Sequence, residues 1–166
     1  MPMIIIEGVD GSGKSTLAEM LAAASPLPVR IEHRGVPEKS IEDEYLAPLL
    51  KVGNDELVIA DRWHVGETIY GPLYRGESQL LNRPSLNKVI EGVLDDIGAV
   101  RVILSPPLRT VKSRLKSRGE DYLQPEHVKL VHSQYEAYSK NNRNYILINK
   151  VTKETVQDLI TKAVNR

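Results

Sequence analysis

The chain has 166 residues with 22 basic and 22 acidic side chains, so its formal net charge is zero. This balance excludes a general attraction to nucleic acid or to acidic membranes, and any anion binding must therefore be local. The sequence has no cysteine, which excludes disulfides and thiol chemistry, and no apolar run approaches the roughly 20 residues of a membrane span. We expect a single cytoplasmic domain that binds no membrane and no nucleic acid.

Short apolar strands and helices alternate along the whole chain. The residue pattern predicts five strands, at 3–7, 29–33, 57–60, 100–104 and 145–148. It predicts helices at 15–24, 40–52, 64–70, 85–97, 107–117, 124–140 and 152–164, and a loop at 71–76. This alternation indicates an α/β fold, a five-stranded parallel sheet with helices on both faces, whose ligands bind at the carboxyl ends of the strands.

The first predicted strand leads directly into a phosphate-binding loop. Gly8, four further residues and then Gly13-Lys14-Ser15 form the complete P-loop pattern between a strand and a helix. Lys14 is expected to reach the β- and γ-phosphates of ATP, and the Ser15 hydroxyl to hold Mg²⁺. A glycine-rich turn that precedes a helix by chance would not need Lys and Ser at these positions. The nucleotide-binding residues predicted from this pattern are Gly8, Gly11, Ser12, Gly13, Lys14, Ser15 and Thr16.

A second charged motif, Asp61-Arg62-Trp63, follows the third predicted strand. An acid at this edge can hold the Mg²⁺ shell or orient a nucleophile, and the planar fork of Arg62 suits a phosphate. Together they suggest a second phosphorylated ligand that faces the first. The structural alternative is that Asp61 caps the next helix while Arg62 pairs with a surface carboxylate.

The helix predicted at 107–117 is basic towards its end, just before Gly119. Arg114 and Arg118 are four residues apart and therefore share one face. A basic helix end beside a glycine could close over phosphates as a lid at about 114–123. The alternative is a solvated basic face, which is the common outcome for such runs.

These three motifs together resemble those of thymidylate kinases. Residues 7–16 are similar to the opening of that family, and residues 61–63 to its Asp-Arg-aromatic motif. Residues 114–122 resemble the lid of thymidylate kinases and of the related deoxynucleoside kinases. The resemblance implies a P-loop kinase fold and transfer of phosphate from ATP, with Mg²⁺, to a pyrimidine deoxynucleoside monophosphate such as dTMP. It also implies a possible homodimer, for which the helix predicted at 85–97 could supply the surface.

The resemblance also implies roles at individual positions. It assigns catalysis to Asp10, Lys14, Asp61, Arg62, Arg114 and Arg118; ATP binding to Asp10 with the loop residues above; substrate binding to Arg34, Arg62, Trp63 and Tyr70; and the metal to Ser15 and Asp61. The chain departs from the family in having no phenylalanine to stack on thymine, and in placing Gly71 where a polar side chain is expected. These departures leave other pyrimidines and other deoxynucleotides open as acceptors.

Three other activities could use a P-loop. A deoxynucleoside kinase needs a general base for a neutral 5′-hydroxyl, commonly a glutamate at the position of Asp61, whereas an arginine clamp suits a monophosphate. A GTPase switch would read guanine with an aspartate after Asn149-Lys150, but that position is Thr152. A polynucleotide 5′-kinase would need a basic groove, of which the zero net charge gives no sign.

Overall fold

The computed structural model describes residues 1–51, 53–119 and 123–165. The strands are β1 (Met3–Glu7), β2 (Val29–His33), β3 (Leu57–Asp61), β4 (Val100–Leu104) and β5 (Tyr145–Ile148). The α-helices are α1 (Lys14–Ala24), α2 (His64–Arg75), α3 (Gln79–Asn82), α4 (Pro84–Asp96), α5 (Leu108–Arg118), α6 (Val128–Asn141) and α7 (Lys153–Val164). Within the described ranges, no helix is both long enough and apolar enough to cross a membrane.

The five strands form one parallel sheet, as the alternation of elements predicted, and the structure gives their order as β2-β3-β1-β4-β5. The central strand β1 pairs with β3 on one side and β4 on the other. Ile6 lies opposite Asp61 in the β1–β3 register. Because parallel strands end at the same edge, this register brings the loop after β1 next to the end of β3.

Alternate residues of β1 supply the cores on the two faces of the sheet. Ile4 and Ile6 pack with α1 and α7, whereas Met3 and Ile5 pack with α4. Every residue of β1 is buried, which is why this strand reads as an unbroken apolar run. A third cluster joins α2, α5 and α6 around Tyr135. Helices therefore cover both faces of the sheet.

The prediction of one continuous helix at 40–52 is wrong. The chain forms a π-helical turn at Glu42–Leu46 and a separate 3₁₀ turn at Leu49–Lys51, while Val52 lies outside the described residues. Pro48 stands between the two turns, and it lacks the N–H that a continuing helix would need. Ile41, Tyr45 and Leu49 are nevertheless buried, whereas Leu50, which the helical spacing placed on the same side, is 82% exposed.

The prediction of a loop at 71–76 is also wrong, because α2 continues to Arg75 and includes Pro72. Gly71 and Pro72 are helix breakers by residue type, which is why the pattern indicated a loop. Close packing explains the glycine instead. A β-carbon on Gly71 would lie 2.7 Å from the carbonyl oxygen of Glu77, so no larger residue fits where the chain turns after α2.

Candidate active site

Glycine is required at two positions of the P-loop. Gly8 has φ 148°, and a β-carbon there would lie 2.5 Å from the carbonyl oxygen of Leu104 on the neighbouring strand. Gly13 has φ 98° and forms the N-cap of α1 without a capping side chain. The first amides of α1 are therefore left for a ligand, and the helix N-terminus favours an anion.

Lys14 is buried and folds back onto its own loop. Its Nζ donates a hydrogen bond to the carbonyl oxygen of Val9 at 3.1 Å. Burial lowers the pKa of Lys14 to about 8, although the carboxylates of Asp61 and Glu7 act to raise it. A buried ammonium group with one neutral partner is well prepared to bind phosphate, which would supply the missing negative charge.

Ser15 and Asp61, the two residues to which the resemblance assigns a metal, lie together at the carboxyl ends of the strands. Ser15 Oγ donates to Asp61 Oδ2 at 2.8 Å, and His33 Nδ1 lies 3.1 Å from the same oxygen. Asp61 Oδ1 is buried, and no group of the described residues hydrogen-bonds to it. A hydroxyl beside a carboxylate with a free oxygen fits Mg²⁺, which keeps several waters and takes few protein ligands. Within the described residues there is no cluster of three or more acidic or histidine side chains that could hold a metal.

Arg62 adopts a left-handed backbone conformation with φ 77°, which is unfavourable for a residue with a side chain. Such strain costs on the order of 1–3 kcal/mol and persists where the surroundings impose it. The Arg62 N–H donates to the carbonyl oxygen of Ile6 at 2.9 Å. The guanidinium forms an ion pair with Asp10 and lies 5.6 Å from the centre of the Tyr70 ring. Arg62 therefore points into the site and not to the outer surface.

Glu7 is a buried residue that holds the backbone just after Arg62, and the sequence analysis gave it no role. Its Oε1 accepts hydrogen bonds from the backbone N–H groups of Trp63, at 2.9 Å, and Val65, at 3.1 Å. The carboxylate thus caps the start of α2 from another strand. Burial raises the pKa of Glu7. The sequence signal was an acid at the end of an otherwise apolar strand.

Two cavities meet at Asp10 and Arg62, which line both of them. The loop cavity, of about 210 Å³, is lined by the P-loop and by residues at the ends of the strands. The aromatic cavity has a volume of about 350 Å³, and its aromatic lining residues are Tyr45, Trp63 and Tyr70. Two ligands bound in these cavities would meet at the ion pair.

Arg34 lies beside the loop cavity, held in a fixed orientation by acidic and aromatic neighbours. It donates to Glu32 at 2.6 Å and to Glu44 at 3.2 Å. Its guanidinium lies 4.1 Å above the centre of the Trp63 ring, within the range of a cation–π interaction. The sequence predicted that Arg34 binds substrate, and the structure places it against Trp63, which lines the aromatic cavity.

The two arginines of the predicted lid have different surroundings. Arg114 Nη1 donates to the carbonyl oxygens of Gly11, at 3.2 Å, and Ser12, at 3.0 Å, so it supports the loop from behind. Arg118 lines the loop cavity, and both arginines line an outer cleft of about 580 Å³. The outer cleft is further lined by Ser12, Thr16, Met20, Pro107, Asn149 and Lys150. Residues 120–122 of the predicted lid lie outside the described residues.

Glu67 and Arg75 form an ion pair on the wall of the aromatic cavity, and the sequence analysis did not identify either residue. They lie eight residues apart on α2, which is two turns of the same helix face. The predicted loop at 71–76 concealed this relation, because it ended the helix before Arg75. A correct helix boundary would have placed both charges on one face.

Several solved structures share this fold. The YorR protein of Bacillus subtilis, in complex with phosphorylated GDP, has a TM-score of 0.70 at 21% identity, over 95% of this chain and 93% of that one. Deoxyadenosine kinase of M. mycoides with bound dCTP has a TM-score of 0.58 at 19% identity, over 98% of both chains. Thymidylate kinase of Candida albicans has a TM-score of 0.55 at 18% identity, over 97% of this chain and 88% of that one. No protein-family model matches the sequence, and no curated protein does. The solved structures confirm the P-loop kinase fold.

Proposed function

We propose that this protein is a nucleoside monophosphate kinase that transfers the γ-phosphoryl group of ATP to the 5′-phosphate of a deoxynucleotide. The observation that carries the proposal is the junction of the loop cavity and the aromatic cavity at Asp10 and Arg62. The loop cavity has the lysine, hydroxyl and glycines that a triphosphate requires. The aromatic cavity offers rings for a nucleoside, with an arginine at the end where its phosphate would lie.

The proposed reaction is an in-line displacement with no covalent intermediate. An oxygen of the acceptor phosphate attacks the γ-phosphorus, the bond to the β–γ bridging oxygen breaks, and ADP and a nucleoside diphosphate result. Lys14 replaces its hydrogen bond to the Val9 carbonyl oxygen with contacts to phosphate oxygens. Arg62 replaces its ion pair with Asp10 by an ion pair with the acceptor phosphate. Ser15 and Asp61 would hold Mg²⁺, which when bound neutralises charge on the triphosphate. Catalysis then consists of positioning and charge stabilisation.

The structural neighbours support nucleotide phosphorylation in general. They include a deoxyadenosine kinase and a thymidylate kinase, and the YorR structure holds a phosphorylated guanine nucleotide. The names deoxyadenosine kinase and thymidylate kinase refer to a nucleoside and to a nucleoside monophosphate, respectively. Their identity to this chain is 18–21%, so the choice of acceptor depends on the residues of the site. The pyrimidine deoxynucleotide, dTMP or a relative, remains the expectation from sequence resemblance.

The positions of the carboxylates favour a monophosphate over a nucleoside acceptor. A neutral 5′-hydroxyl needs a general base within hydrogen-bond reach. Asp61 lines the loop cavity but not the aromatic cavity, where the acceptor is proposed to lie. Asp10 lines both cavities but is paired with Arg62. An anionic acceptor needs no base and gains directly from Arg62.

The alternative of a GTPase switch has less support. Thr152 occupies the position where a guanine-reading aspartate would be needed, and it is the N-cap of α7. Its Oγ1 accepts a hydrogen bond from the Thr155 N–H at 3.1 Å. This position therefore has a structural role at the start of a helix.

The decisive experiment is a panel of nucleosides and their 5′-monophosphates, each incubated with the full chain, ATP and Mg²⁺. We expect a diphosphate product from at least one deoxynucleoside monophosphate, detected by chromatography, with one ADP formed per diphosphate. Turnover of nucleosides alone would identify a nucleoside kinase instead. ATP hydrolysis that is independent of any acceptor would contradict both.

The homodimer, the lid and the cytoplasmic location remain proposals from the resemblance and the composition. The helix proposed for dimer contact is α4, whose Val89 is half-exposed. Sedimentation velocity of the purified chain tests the dimer directly. A monomer at micromolar concentration would contradict it without affecting the proposed reaction.

A further inference from the structure

His33 borders the candidate metal site, and the sequence motifs assigned it no role. It is the last residue of β2, and it lies opposite Asp61 in the parallel register of β2 and β3. The His33 side chain is 65% exposed, whereas only 7% of the Asp61 side chain is exposed. His33 also lines the loop cavity. A largely exposed imidazole therefore lies beside a buried carboxylate in the cavity where the triphosphate is proposed to bind.

The sheet places both side chains on the face that packs against α1. Side chains alternate between the two faces of a strand, so His33 shares a face with Ile31. By the same rule Asp61 shares a face with Ile59. Both isoleucines belong to the core that packs with α1. Ser15 lies in the first turn of α1, so the strand register brings it together with His33 and Asp61.

Two donors hold one oxygen of the Asp61 carboxylate. Ser15 Oγ lies 2.8 Å from Oδ2, and His33 Nδ1 lies 3.1 Å from the same oxygen. Because an ionised carboxylate only accepts hydrogen bonds, the second bond requires the proton of the imidazole to be on Nδ1. The buried Oδ1 has no hydrogen-bond partner among the described residues. The carboxylate is therefore held through Oδ2 by groups from two different elements.

The two donors differ in what else they do at the site. Ser15 is itself a proposed metal ligand, so its hydroxyl would serve both the carboxylate and the cation. His33 hydrogen-bonds only to Asp61 within the described residues. Hydrogen bonds that orient a metal-binding carboxylate raise the affinity for the metal, because the ligand is already in place when the ion arrives. His33 is thus the donor that can hold Asp61 without competing for the metal.

We infer that His33 is a positioning residue for the metal ion that accompanies the triphosphate, and that it acts by fixing the orientation of Asp61. The inference rests on the metal-binding role of Ser15 and Asp61 in the proposed function. It does not depend on the identity of the acceptor, because His33 does not line the aromatic cavity. The alternative is that the hydrogen bond of His33 has no consequence for metal binding.

The substitutions His33→Ala and His33→Asn test the inference by binding alone. Alanine removes the donor, whereas the asparagine amide can donate to Asp61. Calorimetry measures the affinity of each full chain for a non-hydrolysable ATP analogue, once with Mn²⁺ and once with EDTA. We expect His33→Ala to bind about tenfold more weakly with Mn²⁺ and equally well in EDTA, and His33→Asn to recover most of the affinity with Mn²⁺.

The comparison with EDTA separates metal binding from a general effect on the loop cavity. An equal loss of affinity with Mn²⁺ and with EDTA would assign His33 to phosphate binding or to the shape of the cavity, and would overturn the inference. An unchanged affinity in both conditions would also overturn it. Arg30→Ala is the matched control on β2 and should bind like the wild type, because Arg30 lines neither cavity.

Pulsed electron paramagnetic resonance of the bound Mn²⁺ distinguishes positioning from direct coordination. We expect the same nitrogen couplings in the wild type and in His33→Ala. A nitrogen coupling that disappears in His33→Ala would make the imidazole a metal ligand and would overturn the assignment as a positioning residue.

The binding experiment also separates a failure of this inference from a failure of the proposed function. It needs neither an acceptor nor turnover, so the expected result would support the inference even if no deoxynucleotide were phosphorylated. No binding of the analogue by the wild-type chain would overturn both. In turnover, His33→Ala should raise the Mg²⁺ concentration for half-maximal rate about tenfold and leave the KM of the acceptor unchanged. A loss of kcat that excess Mg²⁺ does not restore would contradict a role in metal affinity.

Discussion

The loop cavity and the aromatic cavity share Asp10 and Arg62 but are constructed differently. The first is built largely from consecutive residues and from backbone geometry, with Lys14 and Ser15 following the glycines directly. The second combines side chains from the chain after β2, from the π-helical turn and from α2. Phosphate is common to all nucleotides, so a local loop suffices to bind it. A base must be distinguished by several groups at once, and only separate elements can surround it.

Substitution of Lys14 should have the largest effect, and this effect should be confined to the loop cavity. We expect Lys14→Ala to lower kcat by about 10³-fold or more, because one buried cation serves the transferring phosphoryl group. Deoxynucleotide binding in the aromatic cavity should be unchanged by calorimetry. Lys112→Ala, which removes an exposed lysine from α5, is the control and should retain full activity. A fully active Lys14→Ala would refute the role of the loop cavity.

Substitutions of Arg62 test the junction between the two cavities. Arg62→Ala should raise the KM of the acceptor about 10- to 100-fold, the worth of a hydrogen bond to a charged group. Arg62→Gly should show the same KM, but the glycine accepts the left-handed φ of 77° freely. Chemical denaturation should therefore find the glycine variant more stable than the alanine variant by about 1 kcal/mol. An unchanged KM in both variants would remove Arg62 from the phosphate site.

The pH dependence of ATP binding gives the smallest effect and again reports on the loop cavity alone. With its pKa lowered to about 8, Lys14 loses its proton in the free chain above that pH, and bound phosphate should restore it. ATP binding should therefore weaken about tenfold between pH 7 and pH 9, with proton uptake at the higher pH. The free energy of unfolding changes with pH in the opposite direction to the ATP affinity. Lys14 keeps its proton to higher pH in the unfolded chain than in the folded chain, so the folded chain without ligand gains stability as the pH rises above 8.

Calorimetry in two buffers of different ionisation enthalpy measures this proton uptake. Lys14→Met should abolish it, because no titrating group then remains at the position. Uptake that persists in the methionine variant would assign the proton to another residue. Deoxynucleotide binding should show no such uptake at pH 9, since Lys14 does not line the aromatic cavity.

The sequence by itself determined the sheet and the P-loop, and it placed Ser15 and Asp61 at the same end of that sheet. These features depend on contiguous residues or on one general rule, that parallel strands end at the same edge. A buried strand is apolar along its length, and a loop that binds phosphate through its backbone must carry glycine at fixed positions. Both requirements leave a pattern that can be recognised without knowledge of the fold.

Only the tertiary structure decided how the second cavity is formed. Glu7 acts on Trp63 and Val65 across 56 and 58 residues of sequence, and no local pattern records such a contact. Gly71 breaks helices by propensity, yet packing against the following turn and the path of Arg75 keep it within α2. Tertiary packing outweighs a helix propensity of about 1 kcal/mol, so the ion pair of Glu67 and Arg75 on the wall of the aromatic cavity became visible only when the helix had its full length.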